Sequence, residues 1–453
     1  MAKFQYKTTP TATDKTPPGI WHILTNETAE RFAYYGMTFI LYTFMTEYLL
    51  GSNGEKMLMS ESDSKSLYHL FKAANYAFPI IGALMSDIWL GKFKTIIWFS
   101  MLYCVGFVVM VVDQTRVGLF TGLFLIALAS GIIKPCVSAN VGDQFGKQNK
   151  NLMTVIYNWF YFAINLGAFV GPILTPLLLY SKNFGPRWAF GLTAVMMFFA
   201  TVVFWLGRKE YVHAPAGGMK FVKECFSREG IMSVLKLGGL YIFIAMFWGL
   251  FEQTGSSWIE QAKKMNLHFI VDWKAEQIGA SQALFVMAMI PIFSYVVYPA
   301  INKIYKLTTL RKIGIGMFLT AVTFIIPVWV EKQIEAGASP SIGWQFLGNI
   351  LLTAAELLVS VTSLEFMYSQ APVRMKSFIM SIYLLAISLG NVYAALFNQF
   401  VKGTKWETGP NYFLLWIYLM LGATVVFIIS SLFYHEKVHT LDEQPEPVEQ
   451  KSS

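Results

Sequence analysis

Twelve apolar runs, each long enough to cross a bilayer as a helix, constrain this chain more than any other feature. They fall at about 20–50, 65–90, 94–112, 118–141, 150–180, 187–207, 230–258, 276–302, 309–330, 342–370, 374–401 and 411–434. A hydrocarbon core of about 30 Å takes roughly 20 helical residues. A segment in lipid must satisfy its own backbone hydrogen bonds, so runs of this kind are restricted to helix. Composition agrees: 55% hydrophobic and only 14% charged residues leave too little polar surface for a soluble protein. The expected fold class is an all-α membrane protein with twelve transmembrane helices in two six-helix bundles.

Charge placement orders the runs. The expected organisation is a polar tail over 1–18, a first bundle over 19–207, a basic linker over 208–229, a second bundle over 230–434 and an acidic tail over 435–453. Lys92, Lys94, Lys147, Lys150, the linker, Lys303 to Lys312, Arg374 and Lys376 all fall on the side of both termini. The opposite loops are balanced. The positive-inside rule therefore puts both termini in the cytoplasm of a multi-pass plasma or inner membrane protein. A net charge of +8 on such a chain suits an anionic leaflet and not nucleic acid. The first run is too long and too charged for a cleavable signal peptide. Cys104, Cys136 and Cys225 have no metal or disulfide spacing and read as small apolar fillers. Two six-helix halves with a site at the midplane are the architecture of major-facilitator transporters.

Charged residues inside apolar runs are expensive, and they mark function. The first run holds Glu27, Glu30 and Arg31, with Tyr34 and Thr38 at three- and four-residue steps on the same helical face. Glu27 stands four residues before Arg31, the favoured order for an intrahelical ion pair. These charges should face a cavity or the bundle interior. They serve either as a structural ion network or as a protonation switch, since burial and a nearby cation push a carboxylate's pKa in opposite directions. Lys134 precedes Pro135 in the fourth run and is either a snorkelling lysine or a cavity cation. His69 in the second run has the side chain best suited to proton exchange near neutrality. Glu356 lies in the middle of the tenth run, with Lys236 in the seventh as a candidate partner. No metal cluster, nucleophile elbow, P-loop or cofactor fingerprint is present, so no enzyme is expected and no cofactor beyond a coupling proton.

Six motifs in order resemble those of the proton-dependent oligopeptide transporters, a branch of the major facilitator superfamily. They are ETAERFAYYG from Glu27, GALMSDIWLGKFKTI from Gly82, GIIKPCVSANVGDQF from Gly131, FYFAINLG from Phe160, FWGLFEQTGSSW from Phe247 and ELLVSVTSLEFMYSQAP from Glu356. The resemblance covers nearly all twelve runs. It implies a monomeric symporter that couples protons to uptake of di- and tripeptides by alternating access. It implies that Glu27, Glu30, His69 and Glu252 take part in proton coupling. It places Arg31 and Lys134 at a peptide's carboxylate and Glu356 at its amino terminus, with Asn165 and Gln282 beside it. Tyr34, Tyr35, Tyr76, Tyr161, Trp248 and Tyr383 would form aromatic walls. Glu365 would be structural or gating.

One departure matters. Many relatives carry arginine two residues after the YYG glycine, as partner of the helix-7 acid, and here that position is Thr38. Lys72, one turn past His69, is the expected replacement, so that Lys72 and Glu252 form the outer gate. Gln282 stands where relatives have asparagine, and Tyr383 where animal relatives have tryptophan. The alternatives are the same scaffold moving nitrate, drugs or other small acids, and a non-transporting receptor. An anion alone has no need of Glu356, and a sensor has no need of a complete proton-coupling set.

Overall fold

A computed structural model describes residues 6–10, 12–213, 216, 228–364, 366 and 376–433, with only the backbone described at 87, 150, 228–237 and 376–381. Glu365, Cys225, Arg374 and the tail 435–453 therefore lie outside the described residues, as do the side chains of Lys236 and Lys376.

The first bundle comprises α1 (Ile20–Thr43), α2 (Glu61–Ala77, resumed as Pro79–Met85), α3 (Lys92–Val112), α4 (Arg116–Asp143), α5 (Met153–Leu179) and α6 (Pro186–Leu206). The second comprises α7 (Arg228–Phe251), α8 (Ile278–Ile292, continuing to Asn302), α9 (Thr309–Thr323, resumed as Ile325–Glu335), α10 (Gly343–Glu356, continuing to Val361), α11 (Lys376–Phe400) and α12 (Gly409–Leu432). Nine of these, among the described residues, pass a strict test of length and apolarity for crossing a membrane. The other three are α1, α2 and α7. In α1 the three charges lower the apolarity, and α2 is broken at Phe78 ahead of Pro79, which lacks the N–H a continuous helix needs. The spans least like ordinary membrane helices thus include the two carrying the charged motif and His69.

The second span begins earlier than its apolarity suggests. Ser60 caps α2 by accepting from the Asp63 N–H at 3.1 Å, and this starts the helix at Glu61 instead of residue 65. One extra turn carries Lys65 into the helix, where it is 2% exposed.

Close helix contacts are made through glycine. On α5, a Cβ at Gly167 would overlap the Thr28 carbonyl, and one at Gly171 would lie 2.5 Å from the Phe32 carbonyl oxygen. The pair Gly249 and Gly390 does the same for α7 against α11, where a Cβ on Gly249 would come within 2.9 Å of the Gly390 carbonyl oxygen. Small residues allow backbones to approach where lipid gives no hydrophobic drive to pack. The first and fifth helices of each bundle share this device.

Before α1, the chain lies across the first bundle on the side of the termini. Lys7 pairs in parallel with Val212, His213 N–H donates to Lys7 O at 2.7 Å, and the Tyr6 ring stacks on the His213 imidazole at 4.2 Å. Asn149 Nδ2 donates to Lys15 O at 3.2 Å.

The bundles meet at the end away from the termini, called here the distal end. An apolar cluster joins Phe39 and Tyr42 of the first half to Ile259, Ala262, Met265 and Ile278 of the second. Serine hydroxyls cross the seam: Ser62 donates to Asn398 O at 2.7 Å, Ser66 to Ala395 O at 3.1 Å, and Ser388 to Ala73 O at 2.8 Å. Gln277 Nε2 donates to Ile173 O at 2.9 Å, and Tyr180 donates to Glu276 at 2.8 Å.

Candidate functional site

On α1 the motif folds into a compact charge cluster. Arg31 Nε lies 3.0 Å from Glu27 Oε1 and 2.5 Å from Glu30 Oε2, and all three side chains are buried. Two carboxylates against one guanidinium leave one negative charge uncompensated when both are ionised. The nearby cation is Lys134 of α4. It donates to Asn75 Oδ1, and Asn75 Nδ2 in turn donates to Ser130 Oγ. The ammonium lies over the rings of Tyr34 at 4.8 Å and Tyr76 at 4.3 Å. Lys134 makes no ion pair with a glutamate of α1 in this conformation. An amide acceptor and two aromatic faces hold the lysine instead, which leaves the negative charge available for another partner.

On α2 the residues Lys65, His69, Lys72 and Tyr76 recur at helical steps and face the second half. Lys65 Nζ lies 2.5 Å from Glu260 Oε2, and Lys264 approaches the other Glu260 oxygen at 3.1 Å. One turn further in, His69 Nδ1 is 2.9 Å from Asn391 Oδ1 and Nε2 is 3.2 Å from Ser256 Oγ. Asn391 Nδ2 is committed to Ile387 O at 3.0 Å, so its oxygen faces the histidine. Nδ1 of a neutral His69 then carries the proton, and Nε2 accepts from the Ser256 hydroxyl. Next comes Lys72 Nζ, 2.9 Å from Glu252 Oε2, with both side chains buried. Thr38 gives its hydroxyl to its own helix, donating to Tyr34 O at 2.7 Å.

Below these contacts is a cavity of ≈ 820 Å³ including its mouth. Tyr35, Tyr76, Tyr161, Asn165, Trp248, Gln282 and Glu356 line it, together with Lys72 and Glu252. The distal contacts close its roof, and Tyr161, nearer the terminal end, is 40% exposed. Glu356 has a buried Oε2 with no hydrogen-bond partner, and the Gln282 side chain hydrogen-bonds its carboxyl group. Three residues expected at the substrate stand back from the wall. Tyr34 is fully buried, Arg31 is held by its two glutamates, and Lys134 lies behind the Tyr34 and Tyr76 rings. Tyr383 accepts or donates to Ser360 Oγ at 3.1 Å and packs in the second-half core. Lys236 and Glu365 cannot be placed, as their side chains fall outside the described residues.

Several partners were not foreseen: Asn75 for Lys134, Asn391 and Ser256 for His69, and Glu260 for Lys65. Only Lys65 carried a signal, its spacing of four residues before His69 and seven before Lys72.

The POT family model matches residues 93–229 and 220–415. Solute carrier family 15 member 2 of Danio rerio is 36% identical over 367 residues, covering 70% of this chain and 50% of its own length. Its namesake in Homo sapiens is 34% identical over 402 residues, covering 77% and 54%. The chain spans about half the length of the curated relatives it matches. The crystal structure of the POT family transporter PepTSo superposes with a TM-score of 0.85 at 33% identity, over 93% of this chain and 99% of that one. A match to a family of transporters through both bundles, with the same twelve-helix arrangement in a solved member, settles the kinship: the chain belongs to the POT family.

Proposed function

We propose that this protein is a proton-coupled symporter that takes up di- and tripeptides by alternating access. It works as a monomer in the plasma or inner membrane with both termini cytoplasmic and uses no cofactor beyond the coupling proton. The carrying observation is the cavity's chemistry: Glu356 in one bundle, with an unpartnered carboxylate oxygen, and the Lys72 ammonium in the other, both on the lining of an aromatic-walled space. A zwitterion of two or three residues needs both poles met, and aromatic walls tolerate varied side chains. A further curated relative is a peptide transporter by name, peptide transporter 3 of Caenorhabditis elegans, at 32% identity. Basic loops at Lys92, Lys147 and Lys303 to Lys312 support the proposed orientation. With the distal ends in contact and the outer gate paired, we read the conformation as inward-facing.

The proton's work follows from the ion pairs. Glu27 and Glu30 share one arginine, and Glu252 holds Lys72. Protonating a carboxylate removes its charge and releases its cation, and at Glu252 this weakens the tie between α2 and α7. A proton entering from outside gains about 2.3 kcal/mol per 100 mV and about 1.4 kcal/mol per pH unit. Roughly 1.4 kcal/mol sustains a tenfold gradient. His69, between Asn391 and Ser256 at the seam, is placed to pass the proton inward, and Lys72–Glu252 is the outer gate.

Competition uptake tests the substrate class. Proteoliposomes should take up labelled dialanine, and unlabelled di- and tripeptides should suppress that uptake, whereas alanine and nitrate should not. Nitrate flux without peptide flux would overturn the reading.

A further inference from the structure

We propose that Lys72 exchanges partners during loading: it leaves Glu252 and binds the carboxylate of the substrate. This rests on the peptide reading above and assigns its carboxylate subsite.

Among the described residues lining the cavity, the charged side chains are Lys72, Glu252 and Glu356. Two carboxylates and one ammonium leave the lining one negative charge in excess, and the single positive member is Lys72. The other cations of the first half are occupied elsewhere. Arg31 is gripped by Glu27 and Glu30, and Lys134 is tied to Asn75 and covered by two aromatic rings. Neither reaches the lining in this conformation. Lys72 does, because α1 supplies Thr38 and no cation at the gate, so a lysine from α2 crosses the cavity wall to meet Glu252.

The lysine is equipped for exchange. Its ammonium has three donors on a flexible four-carbon stem, and one oxygen of Glu252 is its ion-pair partner. The rings of Tyr34 and Tyr76 flank it at 5.4 and 5.8 Å and favour a cation in this place whichever carboxylate it holds. A zwitterionic peptide with its ammonium on Glu356 would bring its own carboxylate toward the opposite bundle. Once Lys72 accepts that carboxylate, the ion pair tying α2 to α7 is broken. The exchange then follows the cycle: with the distal gate open Lys72 holds the carboxylate, and closure of that gate returns Lys72 to Glu252, as in this structure, and frees the peptide for release.

The test compares dialanine with its C-terminal amide, binding each to the purified full chain by calorimetry. Wild type should bind the free acid about tenfold or more tightly than the amide, the scale of one hydrogen bond to a charged group. Lys72→Gln should bring the two within about twofold, and Lys72→Arg should restore the preference. Glu252→Gln removes the competitor and should tighten the free acid alone, a result that stands even if Lys72→Gln does not fold. A tenfold preference that survives in Lys72→Gln, or a Glu252→Gln protein with unchanged affinity for the free acid, overturns the exchange while leaving peptide transport intact. Wild type that binds neither ligand overturns the peptide reading and the exchange together.

Discussion

Glu356 lines a cavity with largely aromatic walls, and one of its carboxylate oxygens is buried with no hydrogen-bond partner. Its role as the amino-terminal anchor gives a specific expectation. Glu356→Gln should weaken competition by dialanine about tenfold or more, which corresponds to about 1.4 kcal/mol. An N-acetylated dipeptide, which brings no ammonium, should compete equally with both proteins. Equal loss for the two ligands would point to a collapsed cavity and not to a lost anchor. At this scale the sequence was most legible where a charge stood in an apolar run. Glu27 and Arg31 declared their pairing by spacing alone, and the missing cation at Thr38 pointed to Lys72, which the structure places on Glu252. What stayed hidden was neutral. Asn75, Asn391 and Ser256 carry no excess charge to flag them, and Asn391 meets His69 across 322 residues of chain, a pairing that only the packed bundles create.

Helix ends and seams carry the next level of control. At the distal seam, a Cβ on Gly279 would overlap the Phe39 ring, and one on Gly255 would overlap the Tyr68 hydroxyl. These two glycines of the second half are sockets for aromatic side chains of the first. Gly279→Ala should therefore hold the distal ends apart. Spin labels at Asn53 and Lys405 should report longer distances than in wild type, and Phe39→Ala in the same chain should restore the short one. Unchanged distances in Gly279→Ala would show that the seam repacks around the methyl group. A second element, the N-terminal segment, depends on pH. Burial pushes the His213 imidazole below the usual histidine value, against the Arg208 carbonyl that accepts its Nε2–H at 2.8 Å. A lowered folded pKa means that docking of Tyr6 and Phe93 on this ring is supported above the ordinary histidine range. The support is lost as pH falls toward the lowered folded value. Protease cleavage within the first nineteen residues should quicken between about pH 7.5 and about pH 5.5, and His213→Phe should flatten that dependence. A wild-type rate independent of pH would contradict this. Apolar runs located the spans, yet they set the start of α2 too late, because a polar cap and a first turn of Glu61, Asp63 and Lys65 resemble a loop until Lys65 is buried against Glu260 of the second bundle.

The whole molecule shows a symmetry that its residues barely record. Sequence likeness between the halves is weak, but both bundles bring their first and fifth helices together through glycine, Gly167 and Gly171 in one and Gly249 and Gly390 in the other. Backbone approach needs only the absence of a side chain, so the repeat persists in packing while the surrounding residues diverge. Function breaks the symmetry: arginine and lysine gather in the first half, and Glu356 faces them from the second. That asymmetry, with distal contacts that a proton or a substrate carboxylate could undo, is the basis for reading the protein as a proton-driven peptide carrier. Uptake of labelled dialanine into proteoliposomes tests this most directly, with the outside acidified by about one pH unit or left equal to the inside. One unit supplies about 1.4 kcal/mol per proton, enough for roughly tenfold accumulation at one proton per peptide. The account predicts transient accumulation above the outside concentration under the gradient and simple equilibration without it. Peptide flux that is indifferent to the gradient would contradict it.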